Sequence, residues 1–143
     1  MKTPMPVTLL FTDDGKKPNA TPHEVESAIR QLDGVTWTLV HVEDPSGRTL
    51  TIGGGPRRFV AEVADDATHR FAVIDPSRGG GRVDLAVGGQ LVDYPARVCV
   101  TLEVVLAAAS VFTEQAGARD PGLTWSAEPL LALSHKRLEL TKR

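Results

Sequence analysis

The 143 residues contain one cysteine, Cys99. A lone thiol excludes an internal disulfide, a CxxC redox pair and a cysteine-based metal clip. Flanked by Val98 and Val100, it reads as a small buried apolar side chain, the usual setting of a free cysteine, and not as a nucleophile. Aromatic residues are scarce at 5% of the chain, so Trp37, Tyr94 and Trp125 are each expected to hold a definite place. Long apolar runs are missing as well. The longest, Val104 to Ala109, falls far short of a membrane span. The apolar stretch between Pro6 and Thr12 is too short for the core of a signal peptide. A cytoplasmic protein without membrane contact is the expectation.

Charge of one sign is nearly absent from the total. Sixteen Lys and Arg stand against 18 Asp and Glu, a net charge of -2. That balance speaks against direct nucleic-acid binding, which depends on a basic patch that displaces phosphate counterions. The distribution is less even than the sum. Asp13, Asp14, Glu43, Asp44, Glu62, Asp65, Asp66, Asp75, Asp84 and Asp93 crowd the first two thirds, whereas Lys136, Arg137, Lys142 and Arg143 end the chain. An acidic face is compatible with the mild total.

The patterns that carry catalysis are missing too. His23, His41, His69 and His135 form no HxH or HxxxH pair able to hold zinc, and no GxSxG elbow presents a serine. His41, on an expected strand, reads as a partly buried polar residue. Gly53-Gly54-Gly55 and Gly79-Gly80-Gly81 lack the GK[ST] ending of a phosphate loop, and neither opens a helix after a strand. Both read as turns between strands, where glycine supplies positive φ. The pairs Asp13-Asp14 and Asp65-Asp66 fall in turns, where adjacent acids point apart. No cofactor is expected.

With 41% hydrophobic residues and a mean hydropathy of -0.10, the chain suits one soluble domain. Val7, Leu9 and Phe11 alternate into a strand that ends at Asp13-Asp14-Gly15, and Lys16 to Ala20 reads as a polar connection. Thr21-Pro22-His23-Glu24 is a capping box, and Val25, Ile29 and Leu32 share one helical face up to Gly34. The period then becomes two. Thr36 to Val42 and Thr49 to Ile52 read as a hairpin in which Val35, Trp37 and Leu39 share a face, and strands follow at Arg58 to Val63, Arg70 to Ile74 and Arg82 to Val87. Thr101 is placed to cap a strongly apolar helix from Leu102 to Gln115, which should lie buried against the sheet. Beyond Gly117, Trp125 is expected to cover the helix end, and Leu130, Leu131, Leu133, Leu138 and Leu140 form a last apolar segment.

This order of features resembles the polymorphic-toxin immunity proteins placed first in the numbered series of bacterial immunity families. The resemblance rests on the strand and glycine turn Leu50 to Gly55, the strand Phe59 to Val63, Gly88-Gly89-Gln90, Tyr94-Pro95, the helix Leu102 to Phe112, Gly117 and Trp125. It spans about Val35 to Trp125. It implies a stoichiometric inhibitor that fills the active site or substrate groove of a cognate toxin, of the deaminase type or another class, and that needs no catalysis of its own.

The resulting expectation is an α+β domain over residues 1 to 143: a twisted, mainly antiparallel sheet of five to seven strands, packed against the C-terminal-half helix and flanked by the Thr21 to Leu32 helix. Glu62, Asp65, Asp66, Asp84, Asp93 and Tyr94 are the expected toxin contacts, chosen as exposed strand positions, acidic turns and an aromatic anchor. A monomer or weak homodimer is expected. Two rivals remain at this stage. One is a small-ligand or regulatory domain with a cavity between sheet and helix. The other is an enzyme using Asp75 or Asp84 with Arg78 or Arg82 beside the glycine-rich turn.

Overall fold

In the computed structural model, which describes residues 8–136, Asp13-Asp14-Gly15 folds β1 (Thr8–Thr12) back onto β2 (Gly15–Ala20). The segment expected as a connection is thus an edge strand, with Pro18 interrupting its donors and Lys16 and Lys17 guarding it. Helix α1 (Pro22–Arg30) follows, started by the capping box: Thr21 Oγ1 accepts from the Glu24 amide, and Glu24 accepts from the Thr21 amide. Four strands then run as a meander, β3 (Leu39–Glu43), β4 (Thr49–Gly54), β5 (Phe59–Ala64) and β6 (Arg70–Ile74). β7 (Arg82–Val87) and β8 (Gln90–Pro95) form a hairpin, and a single 3-10 turn at Ala96–Val98 leads to α2 (Leu102–Glu114). β9 (Thr124–Ser126), the short helix α3 (Leu130–Leu133) and β10 (His135–Lys136) complete the described chain. Val7, Leu138 and Leu140, read as strand positions, lie outside it. None of its helices is long and apolar enough to cross a membrane.

Seven strands make one sheet in the order β2-β1-β3-β4-β5-β6-β9, and three make a second in the order β10-β8-β7. The large sheet is covered on both faces. On one side Leu50, Ile52, Phe59, Ala61 and Val63 pack with Val25 and Ile29 of α1 and Val105, Ala109 and Phe112 of α2. On the other, Val60 and Ala72 pack with Leu85, Val92 and Tyr94 of the small sheet and Leu130 of α3. β5 is buried at all six positions for this reason. Its sequence reads as a continuous apolar run interrupted by one glutamate, the pattern of a strand covered on both faces.

Two devices seat the small sheet, and the first corrects the turn reading of Gly53 and Gly54. Gly53 and Gly54 belong to β4. A Cβ on Gly53 would stand 2.5 Å from Val87 Cγ1, so the absence of a side chain lets β7 approach the large sheet. The second device is a hydrogen-bond relay. Asp13 accepts from the Thr38 amide (2.6 Å), the Thr38 hydroxyl (2.6 Å) and the Leu39 amide (2.8 Å). Thr38 Oγ1 in turn accepts from the Gly89 amide at 2.9 Å, tying the β7–β8 turn to the start of β3. Burial raises the Asp13 pKa, but the bonds from Thr38 and Leu39 outweigh it and hold the carboxyl below its ordinary value.

The tryptophans also differ in detail from their sequence reading. β3 begins at Leu39, and the residues before it curl around Asp33, whose carboxylate accepts from the amides of Val35, Thr36 and Trp37. Trp37 still packs on the helix-side core, but Val35 does not share its face and is 84% exposed. Trp125 lies on β9, packs against the same core and donates its indole N–H to Asp120 O at 2.9 Å.

Candidate functional site

Period two along β7 and β8 sends Val83, Leu85, Val92 and Tyr94 inward and Asp84, Ala86, Leu91 and Asp93 to the other face of the small sheet. Asp84 and Asp93 stand directly opposite in the ladder, and His135 pairs with Asp93 from the far side, so the outer face carries a row of two carboxylates and an imidazole. Like charges facing each other across strands are destabilising. Arg82 offsets this cost. Its guanidinium pairs with the Asp93 carboxylate and reaches Asp93 O at 3.0 Å and Leu133 O at 2.9 Å, locking β7, β8 and α3 together.

Asp65 and Asp66 occupy a different place, the β5–β6 turn. Asp65 pairs with Arg48 at 3.3 Å. Asp66 accepts from the Thr68 and His69 amides and from His69 Nδ1, and these bonds, the His69 side chain foremost, hold its carboxyl far below the ordinary range. The small sheet touches β4 at Gly53 and Gly54, whereas this turn adjoins the opposite end of that strand, where Thr49 pairs with Ala64. The four exposed or half-exposed acids therefore form two groups, and only Asp84 and Asp93 share a sheet face.

Glu62 and Tyr94 correct the expectation of exposure. Glu62 is 8% exposed and Tyr94 5%. Glu62 points into the layer between the sheets, where it accepts from Arg70 Nη1 at 3.1 Å and from the buried Leu130 amide at 2.7 Å. Tyr94 packs there with Val60, Val98 and Cys99, and burial pushes its phenol up to about 12. Both positions read as surface because a second sheet covering a meander leaves no mark in local periodicity. Cys99 is fully buried, as read from its neighbours, and burial pushes its thiol up to about 11.

The residues considered for catalysis are engaged in local structure. Asp75 accepts from the amide and hydroxyl of Ser77, closing its own turn, while Arg82 is engaged by Asp93. His41 is half-buried beside Phe11 and bonds Thr51 Oγ1 at 2.8 Å, and burial lowers its pKa. It behaves as a satisfied polar residue on the sheet. Among the described residues no three His, Cys, Asp or Glu side chains gather to hold a metal ion. The space between α2 and the sheet is filled by Val105, Ala109 and Phe112 against Phe59 and Ala61. Clefts open instead at the surface, one of about 560 Å³ between α1 and α2 lined by His23, Glu26, Leu106, Ser110 and Glu114.

Three large apolar side chains are exposed among the described residues, Val35 at 84%, Leu91 at 45% and Leu131 at 85%, and the sequence reading did not single out any of them as surface. For Leu91 a signal exists, since it has the same strand parity as Asp93. For Val35 there is none without the Asp33 loop. These surfaces offer charge and apolar contact. No curated protein matches the chain. A family model described as Immunity protein Imm1 matches residues 14–127, most of the sheet and both long helices, and the chain belongs to that family of immunity proteins.

Proposed function

We propose that this protein binds a cognate bacterial toxin and neutralises it by covering the toxin's active site or substrate groove. The family match over residues 14–127 carries the reading. Inhibition of this kind is stoichiometric and needs no catalysis by the inhibitor. Of the two acidic groups, the outer face of the small sheet is the better contact surface. Asp84 and Asp93 are held there on paired strands, and the face is fixed by Arg82 and by the Thr38 relay. Rigid presentation limits the entropy lost on binding. Asp65 and Asp66 form a separate, secondary contact on the β5–β6 turn, at the other end of β4. A deaminase or another nucleic-acid-acting toxin suits such a face, because a cleft that takes a polyanion is basic and acidic side chains complement it.

The test is isothermal titration of the protein against the toxin domain encoded beside its gene, with toxin activity assayed in parallel. One-to-one binding at nanomolar affinity with loss of activity is the expected result. Absence of both binding and protection would remove the immunity reading.

A further inference from the structure

We propose that Arg58, Arg78 and Arg97 form a basic docking patch that receives an acidic surface of the toxin. The inference rests on the toxin-binding reading and adds to it a contact of the opposite sign. Arg30, Arg48, Arg70 and Arg82 each pair with an acid, and the Arg119 guanidinium lies 3.7 Å over the Phe71 ring. The other arginines of the described chain, Arg57, Arg58, Arg78 and Arg97, form no ion pair among the described residues. Three of these meet at one end of the fold. Arg58 adjoins Phe59, which exchanges backbone hydrogen bonds with Val100 at 2.9 and 2.8 Å. Arg97, in the 3-10 turn just before, gives its carbonyl to the Asp75 amide at 2.7 Å, and the Asp75 carbonyl accepts from the Arg78 amide at 3.1 Å.

The charges converge as the backbone does. Hydrogen bonds from Ser77 come first in lowering the Asp75 pKa, and the charges of Arg78 and Arg58 add to them. At the Cys99 thiol burial dominates, with the charges of Arg78, Arg58 and Arg82 acting against it. Asp75 is thus the acid at the centre of the patch, but its carboxylate already closes the Ser77 turn and forms no ion pair with any of the three arginines. Arg97 is exposed and Arg58 and Arg78 are half-buried, so all three reach the surface. Planar guanidinium forks select carboxylates or phosphates. The setting favours carboxylates on a folded protein. The loop after Arg78 runs into Arg82, whose guanidinium is held by Asp93 opposite Asp84. A long polyanion leaving the patch would meet those acids, and the net charge of -2 gives it no wider attraction. Asp and Glu side chains on a compact surface can be confined to the arginines. A partner that matches both signs is held in one orientation.

The experiment titrates the toxin domain encoded beside the gene with the wild-type protein, the Arg58→Gln/Arg78→Gln/Arg97→Gln variant and a Lys17→Gln control on β2, at low and high salt. A thermal melt of every protein and a fluorescence-anisotropy titration with a labelled oligonucleotide accompany it. The expected result is a rise of about tenfold or more in the Kd of the triple variant at low salt, a smaller rise at high salt, an unchanged melt and a wild-type Kd for the control. If the triple variant melts lower, Arg97→Gln, at an exposed position, is read instead, with a rise of roughly threefold expected. A wild-type Kd in the folded variant, with the wild-type protein binding normally, overturns the patch and leaves the immunity reading standing. Patch-dependent binding of the oligonucleotide with an unchanged toxin Kd overturns it in favour of a nucleic-acid site. Failure of the wild-type protein to bind the toxin overturns both readings.

Discussion

At the residue scale, a carboxylate's setting decides whether it is structure or surface. Glu62 is the one charged residue of β5, a strand buried at all six positions, and its two oxygens serve Arg70 and the buried Leu130 amide. Arg70 is half-exposed and can return to water when its partner is lost, but the Leu130 amide cannot. Glu62→Ala should therefore cost about 1–3 kcal/mol, the penalty of a buried donor left without an acceptor. Glu62→Gln, which keeps an acceptor, should cost less. Urea denaturation of the two variants checks the order. Cys99 supplies the alkaline counterpart. Its folded thiol titrates at about 11 against an ordinary 9.0, and Tyr94 is displaced in the same direction, to about 12 from 10.0. Above pH 9.0 the unfolded chain holds fewer protons than the folded one, so stability should fall as pH rises through that window. Denaturation midpoints measured from pH 8 to 11 should decline by a smaller amount in Cys99→Ala. The native thiol should also react far more slowly with a disulfide reagent than the unfolded one.

At the element scale, the seating of the small sheet is the feature that local pattern could not supply. The sequence predicts β6 and β7 with their observed ends, Arg70 to Ile74 and Arg82 to Val87, because alternation and turn residues bound them on both sides. It also places the α1 capping box, a purely local motif. It places Gly55 between strands, at positive φ, but misplaces Gly53 and Gly54, which belong to β4, since a glycine that frees a turn and one that admits another strand look alike in one dimension. Gly53→Ala should destabilise by about 1–3 kcal/mol, because Val87 is β-branched and has no easy rotamer away from the new methyl. Adding Val87→Ala should recover part of the loss. A double-mutant cycle from thermal or urea unfolding reads this coupling, and strictly additive effects would show that the contact is not the cause.

At the scale of the whole molecule, a net charge of -2 limits long-range attraction, so any steering of a basic partner must come from local clusters. If the small sheet's outer face meets the toxin, Asp84→Asn should slow association and flatten its dependence on salt, with a smaller change in dissociation. Stopped-flow binding at low and high ionic strength measures both, and an unchanged salt slope would move the contact elsewhere. Loss of a rim charge acts in this way because it alters encounter more than the packed interface.

The sequence by itself determined the absence of disulfide, metal-clip and phosphate-loop chemistry, the positions of most strands and of both long helices, and the resemblance to immunity proteins. Each of these is written in residue identity, short spacing or periodicity. Only the tertiary structure decided that β7, β8 and β10 leave the main sheet and cover its second face. That one step buries Glu62 and Tyr94 and ties Thr38 to the turn of the β7–β8 hairpin. Burial and juxtaposition depend on contacts between residues far apart in the chain, such as Asp13 with Thr38, Thr38 with Gly89 and Gly53 with Val87. Those contacts come into being only when the layers pack, and local pattern does not encode them.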